Sequence, residues 1–194
     1  MDRRLWIRNI AVALALWVGG ATLGFGVATQ VAPKTVEALP KAATATTANA
    51  SGPTGRELYF GILGRNLAVY AWLLCGVVSL GISTVAVTLF NGVHLGQTIA
   101  LAAATGTSAT SVAWLILPHG VLEVSAFLVA AALGMLGPRL AHAWLSNDGR
   151  FGAKCLQLAR LWPIATLGAA TLVAAAGVET YVTVPLAGWL GAGR

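Results

Sequence analysis

The chain has 194 residues, of which 57% are apolar and only 9% are charged, and its mean hydropathy is +0.78. A soluble globular domain carries about 25% charged residues, so these values exclude a water-soluble domain, a disordered chain and a disulfide-stabilised secreted protein. The net charge of +6 favours an anionic lipid surface over nucleic acid, because the basic residues flank apolar segments. The composition therefore predicts an integral membrane protein with the lipid bilayer as its partner and no nucleic acid.

Five apolar stretches are long enough to cross a bilayer, whose core of about 30 Å needs roughly 20 helical residues. In chain order they are residues 9–28, 66–90, 93–117, 119–137 and 161–182. The third stretch contains a polar run at 105–111, which a bilayer tolerates only where protein or water covers it. We therefore expect an all-α polytopic transmembrane bundle of about five spans whose third segment is broken.

The first apolar stretch follows three arginines, Arg3, Arg4 and Arg8. This pattern is similar to a signal peptide, but the stretch is too long and no cleavage site follows it, so we expect a retained anchor over residues 1–28. A flexible extracytoplasmic loop is expected over 29–55, a membrane domain over 56–185 and a tail over 186–194. Basic residues near span ends predict a cytoplasmic N-terminus and an extracytoplasmic C-terminus.

Small residues recur at four-residue spacing in three of the spans. They are Gly20 and Gly24, then Ala71, Cys75 and Ser79, and then Ala126, Ala130 and Gly134. This spacing lets helix backbones approach closely where lipid supplies no hydrophobic drive between helices. We expect these faces to pack the bundle internally, to bind another subunit, or both. The two cysteines lie in unlike settings and are expected to be free thiols.

Ionisable side chains within the apolar stretches are the candidate functional residues, because each costs several kcal/mol in a bilayer unless it has a partner or a purpose. His119 and Glu123 are four residues apart and share one helix face, and Glu179 lies near the outer end of the last span. Three interpretations stay open: a structural His–Glu pair, a proton or substrate path lined by Glu123 and Glu179, and a zinc site formed by all three residues. His94 is expected near the inner end, too far away to contribute.

Catalytic signatures are missing from the sequence. It contains no nucleophile elbow, no Walker motif for ATP and no dinucleotide-binding glycine motif. Transport driven by ATP would therefore need a separate ATPase. We expect no cofactor, with zinc as the one alternative, and we favour a role that is not enzymatic.

Three segments together resemble the stage II sporulation protein M family. The first is Asn91-Gly92-Val93-His94-Leu95-Gly96, the second is Pro118-His119-Gly120-Val121-Leu122-Glu123, and the third is residues 177–185, which contains Glu179 and an extra Val184 before Pro185. The resemblance covers residues 56–185 and makes Asn91, Gly92, His94 and Gly96 a second candidate motif. It implies a polytopic protein of the bacterial cytoplasmic membrane.

The resemblance implies several different roles for one fold, because fold alone does not determine function. Members act as membrane scaffolds for cell-wall-remodelling partners or accompany ABC transporters in peptide export. Our first hypothesis is a non-enzymatic scaffold or accessory subunit of a cell-envelope or peptide-export complex, with other envelope proteins, an ABC ATPase or a second copy as partners. The alternatives are a permease-like component that works with a separate ATPase, and an intramembrane metallohydrolase that processes a peptide.

Overall fold

The computed structural model describes residues 3–38, 55–146 and 149–186, and this part of the chain is helical without any strand. We number the α-helices in chain order. They are α1 (Arg3–Ala38), α2 (Gly55–Leu74), α3 (Ile82–Ala104), α4 (Ala109–Gly134), α5 (Gly137–Leu145), α6 (Phe151–Ala159) and α7 (Trp162–Val178). A 3-10 turn, Cys75–Val77, extends α2, and a π-helix, Glu179–Thr183, extends α7.

The expected all-α transmembrane bundle is confirmed, because five helical stretches in the described residues are long and apolar enough to span a membrane. They are Arg3–Val31, Gly55–Val77, Ile82–Ala104, Ala109–Leu145 and Phe151–Leu186. The fourth stretch combines α4 with α5, and the fifth combines α6, α7 and the π-helix. The bundle therefore has the expected number of spans, although several boundaries differ from the expected ones.

The turn between the second and third spans lies inside the predicted span 66–90. Leu80 and Gly81 take φ values of 56° and 82°, which reverse the chain in a tight turn. The hydroxyls of Ser79 and Ser83 are 2.8 Å apart and fix the start of α3. No charged residue lies in this turn. A prediction from hydropathy therefore merged the end of the second span and the start of the third into one span, 66–90.

The polar run at 105–111 does interrupt the chain, but it separates two complete spans. Gly106 has a φ of 80°, and the Ser108 side chain caps α4 by accepting a hydrogen bond from the Ser111 amide at 3.1 Å. The predicted segment 93–117 therefore belongs to two helices, and the third span, Ile82–Ala104, is continuous.

The first helix is longer than the predicted anchor over residues 1–28. It continues through Ala38 and so includes the start of the segment expected to be a loop. Residues 39–54 of that loop and residues 187–194 of the expected tail lie outside the described residues.

Short connections place the helix ends at two opposite ends of the bundle. The first end holds Arg3, the turn at 78–81, the end of α5 and the start of α6, and there Leu5 packs in one cluster with Leu133, Leu136 and Ala165. The second end holds the turn at 105–108, the start of α2 and the π-helix, where the rings of Tyr59 and Tyr181 stack with centroids 6.4 Å apart. These two names are used below.

Helices α1 and α3 pack closely, and glycine makes the approach possible. Gly20 and Gly24 of α1 lie against the backbone of Leu89, Gly92 and Val93. In return, a Cβ at Gly92 or Gly96 would collide with backbone atoms of α1. Small residues on both helices thus allow backbone-to-backbone contact, as in other membrane helix pairs.

The remaining small residues divide into buried and exposed sets. Ala126 and Ala130 are buried in a core cluster with Tyr70, Leu73 and Leu172, and Gly134 packs against Thr84 and Leu73. In contrast, Ala71 and Cys75 are exposed, and Ser79 lies in the turn. The helix face that carries Ala71 of α2 and Cys75 of the following 3-10 turn therefore does not pack against the described part of the chain. Both cysteines are free.

Candidate functional site

A cavity of about 1,060 Å³ lies among α2, α3 and α4, in the half of the bundle next to the second end. Ligand sites typically measure about 300–1,000 Å³, so this cavity is large enough for an organic solute. Its polar lining residues are Glu57, Arg65, Asn66, Asn91, His94, Thr98, His119, Glu123, Ser125 and Glu179. The three residues that the sequence singled out as a cluster, His119, Glu123 and Glu179, all line it.

The rest of the lining is apolar and includes two aromatic rings. Trp17 of α1 and Phe127 of α4 line the cavity together with leucine, isoleucine and valine side chains. Such a combination of apolar walls with a few convergent polar groups is typical of a small-molecule site. The cavity is therefore suited to a solute that has both a charged or polar group and an apolar body.

Glu123 is the most deeply placed acidic residue of the cavity. It lies 14 residues into α4, which corresponds to roughly 21 Å from the start of the helix. Its carboxylate accepts a hydrogen bond from the side-chain amide of Asn66 on α2, and it interacts electrostatically with Glu179. Two acidic groups on different helices thus face one cavity. The Asn66 amide, which donates to Glu123, connects α2 to α4 at this level.

His119 does not form the His–Glu pair that was one of the sequence-based interpretations. Its Nδ1 atom is 3.2 Å from the Thr183 hydroxyl, whereas Glu123 is bonded to Asn66. The reason is the position of α4, which begins at Ala109, so that His119 lies well inside the helix and opposite the π-helix. The histidine therefore links α4 to the last span.

The π-helix carries Glu179 at its first position and Thr183 at its last. A π-turn is wider than an α-turn and is frequent at functional sites. Thr183 is buried and contacts His119, and Thr180 is buried with its hydroxyl unpartnered within the described residues. The π-helix thus contributes Glu179 to the cavity lining and connects the last span to His119 through Thr183.

The second candidate motif divides between two surfaces of α3. Asn91 and His94 line the cavity, whereas Gly92 and Gly96 face α1. The expectation that His94 lies near the inner end, away from His119, is wrong, because α3 begins at Ile82 and places His94 beyond its midpoint. The Asn91 amide donates to the Val87 carbonyl at 2.8 Å, which fixes it on its own helix.

Sequence reasoning missed three polar residues of α2 that line the cavity, namely Glu57, Arg65 and Asn66. The predicted second span began at residue 66, and the segment that holds Glu57 and Arg65 was expected to be a short amphipathic helix at the membrane interface that only positions this span. Their spacing was the available signal, because residues 58, 62, 65, 66 and 69 repeat at helical intervals and all line the cavity.

The proposed zinc ligands do not form a metal-binding group. Within the described ranges, no set of three or more His, Cys, Asp or Glu side chains could hold a metal ion. Of the three candidates, His119 contacts Thr183 and Glu123 contacts Asn66.

Comparison with known proteins gives one family and one relative. Residues 28–184 match the model of the family described as stage II sporulation protein M. An uncharacterised protein of Methanocaldococcus jannaschii is 30% identical over 129 residues, which cover 66% of this chain and 72% of that protein. No solved structure matches the chain.

Proposed function

The chain belongs to the stage II sporulation protein M family, and we propose that it acts as a permease-like membrane component that binds a cationic solute. Family membership and five membrane-spanning helices are consistent with an integral membrane accessory role. The observation that carries the finer proposal is the pair of carboxylates, Glu123 and Glu179, in one intramembrane cavity of about 1,060 Å³.

The charge of the cavity supports a cation as the solute. Its described lining has three carboxylates, on Glu57, Glu123 and Glu179, and one side chain that is always cationic, Arg65. Charged groups within a bilayer are costly and commonly mark substrate or proton pathways. A positively charged solute would relieve the repulsion between Glu123 and Glu179. Trp17 and Phe127 can add cation–π attraction.

The shape of the cavity supports entry from the second end. Its α2 lining runs from Glu57, near the start of that helix, to Val69. Beyond this depth Leu73, Ala130 and Ala131 are fully packed in the core. A solute that crosses the membrane would therefore require this core to rearrange, and a separate ATPase is the expected energy source.

Uptake into proteoliposomes tests this function. Ethidium, a fluorescent aromatic cation, should accumulate in vesicles that contain the protein when a potential, inside negative, is imposed to replace the ATPase as the driving force. E123Q and E179Q should each reduce the initial rate at least tenfold, since each removes one carboxylate from a low-dielectric site. T166V is the control, because Thr166 is exposed and its hydroxyl donates to the Trp162 carbonyl of its own helix. Equal uptake by E123Q, T166V and wild type would refute the proposal.

A scaffold or accessory role in a cell-envelope or peptide-export complex is our second proposal. It is supported by the family resemblance and by the exposed small residues Ala71 and Cys75 on α2. Oxidative cross-linking of Cys75 in native membranes, in a C155S background, should give a homodimer or a defined adduct with a partner such as an ABC ATPase. Exclusively monomeric protein would oppose this role.

A peptide hydrolase that uses zinc at His119, Glu123 and Glu179 is the least supported alternative. Two of these side chains are engaged by Thr183 and Asn66. We expect metal analysis of the purified protein to give less than a tenth of an equivalent of zinc. One equivalent of zinc in wild type that is lost in E123Q would instead support the hydrolase function.

We further propose that the protein lies in the cytoplasmic membrane with its first end in the cytoplasm. The described residues of that end include seven basic side chains and no acidic one. Excess Lys and Arg near span ends marks the cytoplasmic side. This orientation puts the mouth of the cavity on the outer side.

A further inference from the structure

A small cleft at the first end combines two cations with an apolar wall. The cleft measures about 70 Å³ and lies between the start of α1, the helix α5 and the helix α6. Arg139 and Lys154 line it from α5 and α6, and the remaining lining is Gln157 and five leucines. The cleft is separate from the carboxylate-lined cavity, which lies next to the opposite end.

The wall of the cleft is firmly packed, so its two cations are held on a fixed frame. Leu5 and Leu136 are both buried, and they pack with Leu133 and Ala165 in one cluster. The arginine and lysine lie at the rim, with Arg139 exposed and Lys154 half-buried. Such a placement keeps the cationic groups available while their stems cover apolar surface.

Neither Arg139 nor Lys154 forms an ion pair with a described residue. The basic side chains of Arg3, Arg8 and Arg160 lie at the same end and add to the positive field, and the described part of this end has no acidic side chain. An anion in the cleft would therefore be attracted by two neighbouring cations and by the whole end of the bundle.

We propose that this cleft binds the headgroup phosphate of an anionic phospholipid. The phosphate would lie between Arg139 and Lys154, and the acyl chains would leave the cleft along its leucine wall into the surrounding bilayer. Free phosphate fits the two cations equally well, but it makes no use of the five leucines. Basic clefts between transmembrane helices at this level of the membrane favour anionic headgroups.

Lipid titration of the purified full-length protein, followed by native mass spectrometry, tests the proposal. The probes are phosphatidylglycerol, phosphatidylcholine and inorganic phosphate. Wild type should retain one phosphatidylglycerol with saturable affinity. Since each of the two cations that face the phosphate in the cleft is expected to contribute about fivefold in affinity, the double variant R139Q/K154Q should bind it about 30-fold more weakly.

The matched control is R8Q/R160Q, which removes the same charge from the same end but leaves the cleft residues intact. Its affinity should stay within about threefold of wild type, because long-range effects at an exposed surface are screened. If the cleft double variant does not purify, the single variant R139Q should still weaken binding about fivefold.

Three outcomes would overturn the proposal. Equal losses in R139Q/K154Q and R8Q/R160Q would assign the binding to diffuse surface charge. Equal retention of phosphatidylcholine would remove the role of the two cations. Displacement of phosphatidylglycerol by millimolar inorganic phosphate would make a free anion the ligand instead of a lipid.

Discussion

Three buried polar side chains bond to backbone carbonyl groups of neighbouring helices. Asn9 of α1 donates to Ala132 at 3.1 Å, Tyr70 of α2 donates to Ala165 at 2.8 Å, and Thr84 of α3 donates to Leu73 at 2.7 Å. Because the bilayer offers no water to these groups, each must find a partner within the protein. Single residues thus connect α1 to α4, α2 to the start of α7, and α3 to α2.

The hydroxyl of Tyr70 gives the first prediction. Y70F removes the bond to Ala165 but keeps the ring against Gly168. It should lower the free energy of unfolding in detergent by about 0.6–1.5 kcal/mol, the range for buried hydrogen bonds in proteins and membranes. Y59F is the control, since the ring of Tyr59, which meets Phe60 edge to face and stacks on Tyr181, is retained in phenylalanine. If Y70F and Y59F lowered the free energy of unfolding equally, the Tyr70–Ala165 hydrogen bond would not be the source of the stability.

At the residue scale the sequence identified two of the three acidic groups of the cavity, Glu123 and Glu179, but neither Glu57 nor the hydrogen-bond partners of the site. His119, Glu123 and Glu179 are recognisable because they are ionisable residues within apolar sequence segments. The partners Asn66 and Thr183 are uncharged, and such residues are common in membrane helices without being part of a site. Which helix each partner faces depends on packing, and helical periodicity alone does not specify that.

At the scale of helices, the contact between α1 and α3 is the clearest consequence of small residues. Gly20 on one helix lies against Gly92 on the other, and Gly24 lies against the backbone of Val93. The four-residue spacing of Gly20 and Gly24 predicted a packing face, but it did not identify its partner. Gly92 and Gly96 were grouped with Asn91 and His94 by the family resemblance, although the structure gives the two pairs different roles.

This contact gives the second prediction. A Cβ at Gly96 would lie 2.6 Å from the Phe25 amide nitrogen and would also collide with the Ala21 carbonyl, so G96A should destabilise the protein by about 1–3 kcal/mol. G64A is the control, because nothing lies within 4 Å of a Cβ there. It should stabilise α2 by about 0.5–1 kcal/mol, since alanine favours the helix over glycine. Thermal unfolding in detergent measures the stability of both variants. The prediction requires G96A to lower the stability and G64A to raise it.

Helix boundaries were the least predictable feature at this scale. The turn at 78–81 has no charged residue, so hydropathy placed a span across it, whereas the polar turn at 105–108 was recognised and assigned to the interior of a span. Both errors share one cause. A window of about 20 residues measures average apolarity, and a tight turn of four residues scarcely changes that average.

At the scale of the whole molecule, charge and cavity lie at opposite ends of the bundle. The described first end has seven basic side chains, and the cavity near the second end has three acidic ones. The number of spans and the direction of this asymmetry follow from composition and from basic residues near span ends. The cavity itself depends on how the helices pack, which the sequence alone did not reveal.

The proposed orientation gives the third prediction. In a C75S/C155S background, a cysteine at Thr105, in the exposed turn of the second end, should react in intact cells with a maleimide that does not cross membranes. A cysteine at exposed Trp144, near the first end, should react after the membrane is permeabilised. Labelling of the Trp144 position in intact cells, with the Thr105 position protected, would reverse the orientation.

The most direct test of the central claim is the affinity of the purified protein for ethidium, measured by fluorescence anisotropy in wild type, E123Q, E179Q and the T166V control. A cation site at Glu123 and Glu179 predicts that each carboxylate variant binds ethidium at least tenfold more weakly, that T166V binds it as wild type does, and that anilinonaphthalene sulfonate, an aromatic anion, does not compete. Unchanged affinity in E123Q and E179Q would show that the cavity carboxylates do not select a cation, and the proposed function would then be wrong.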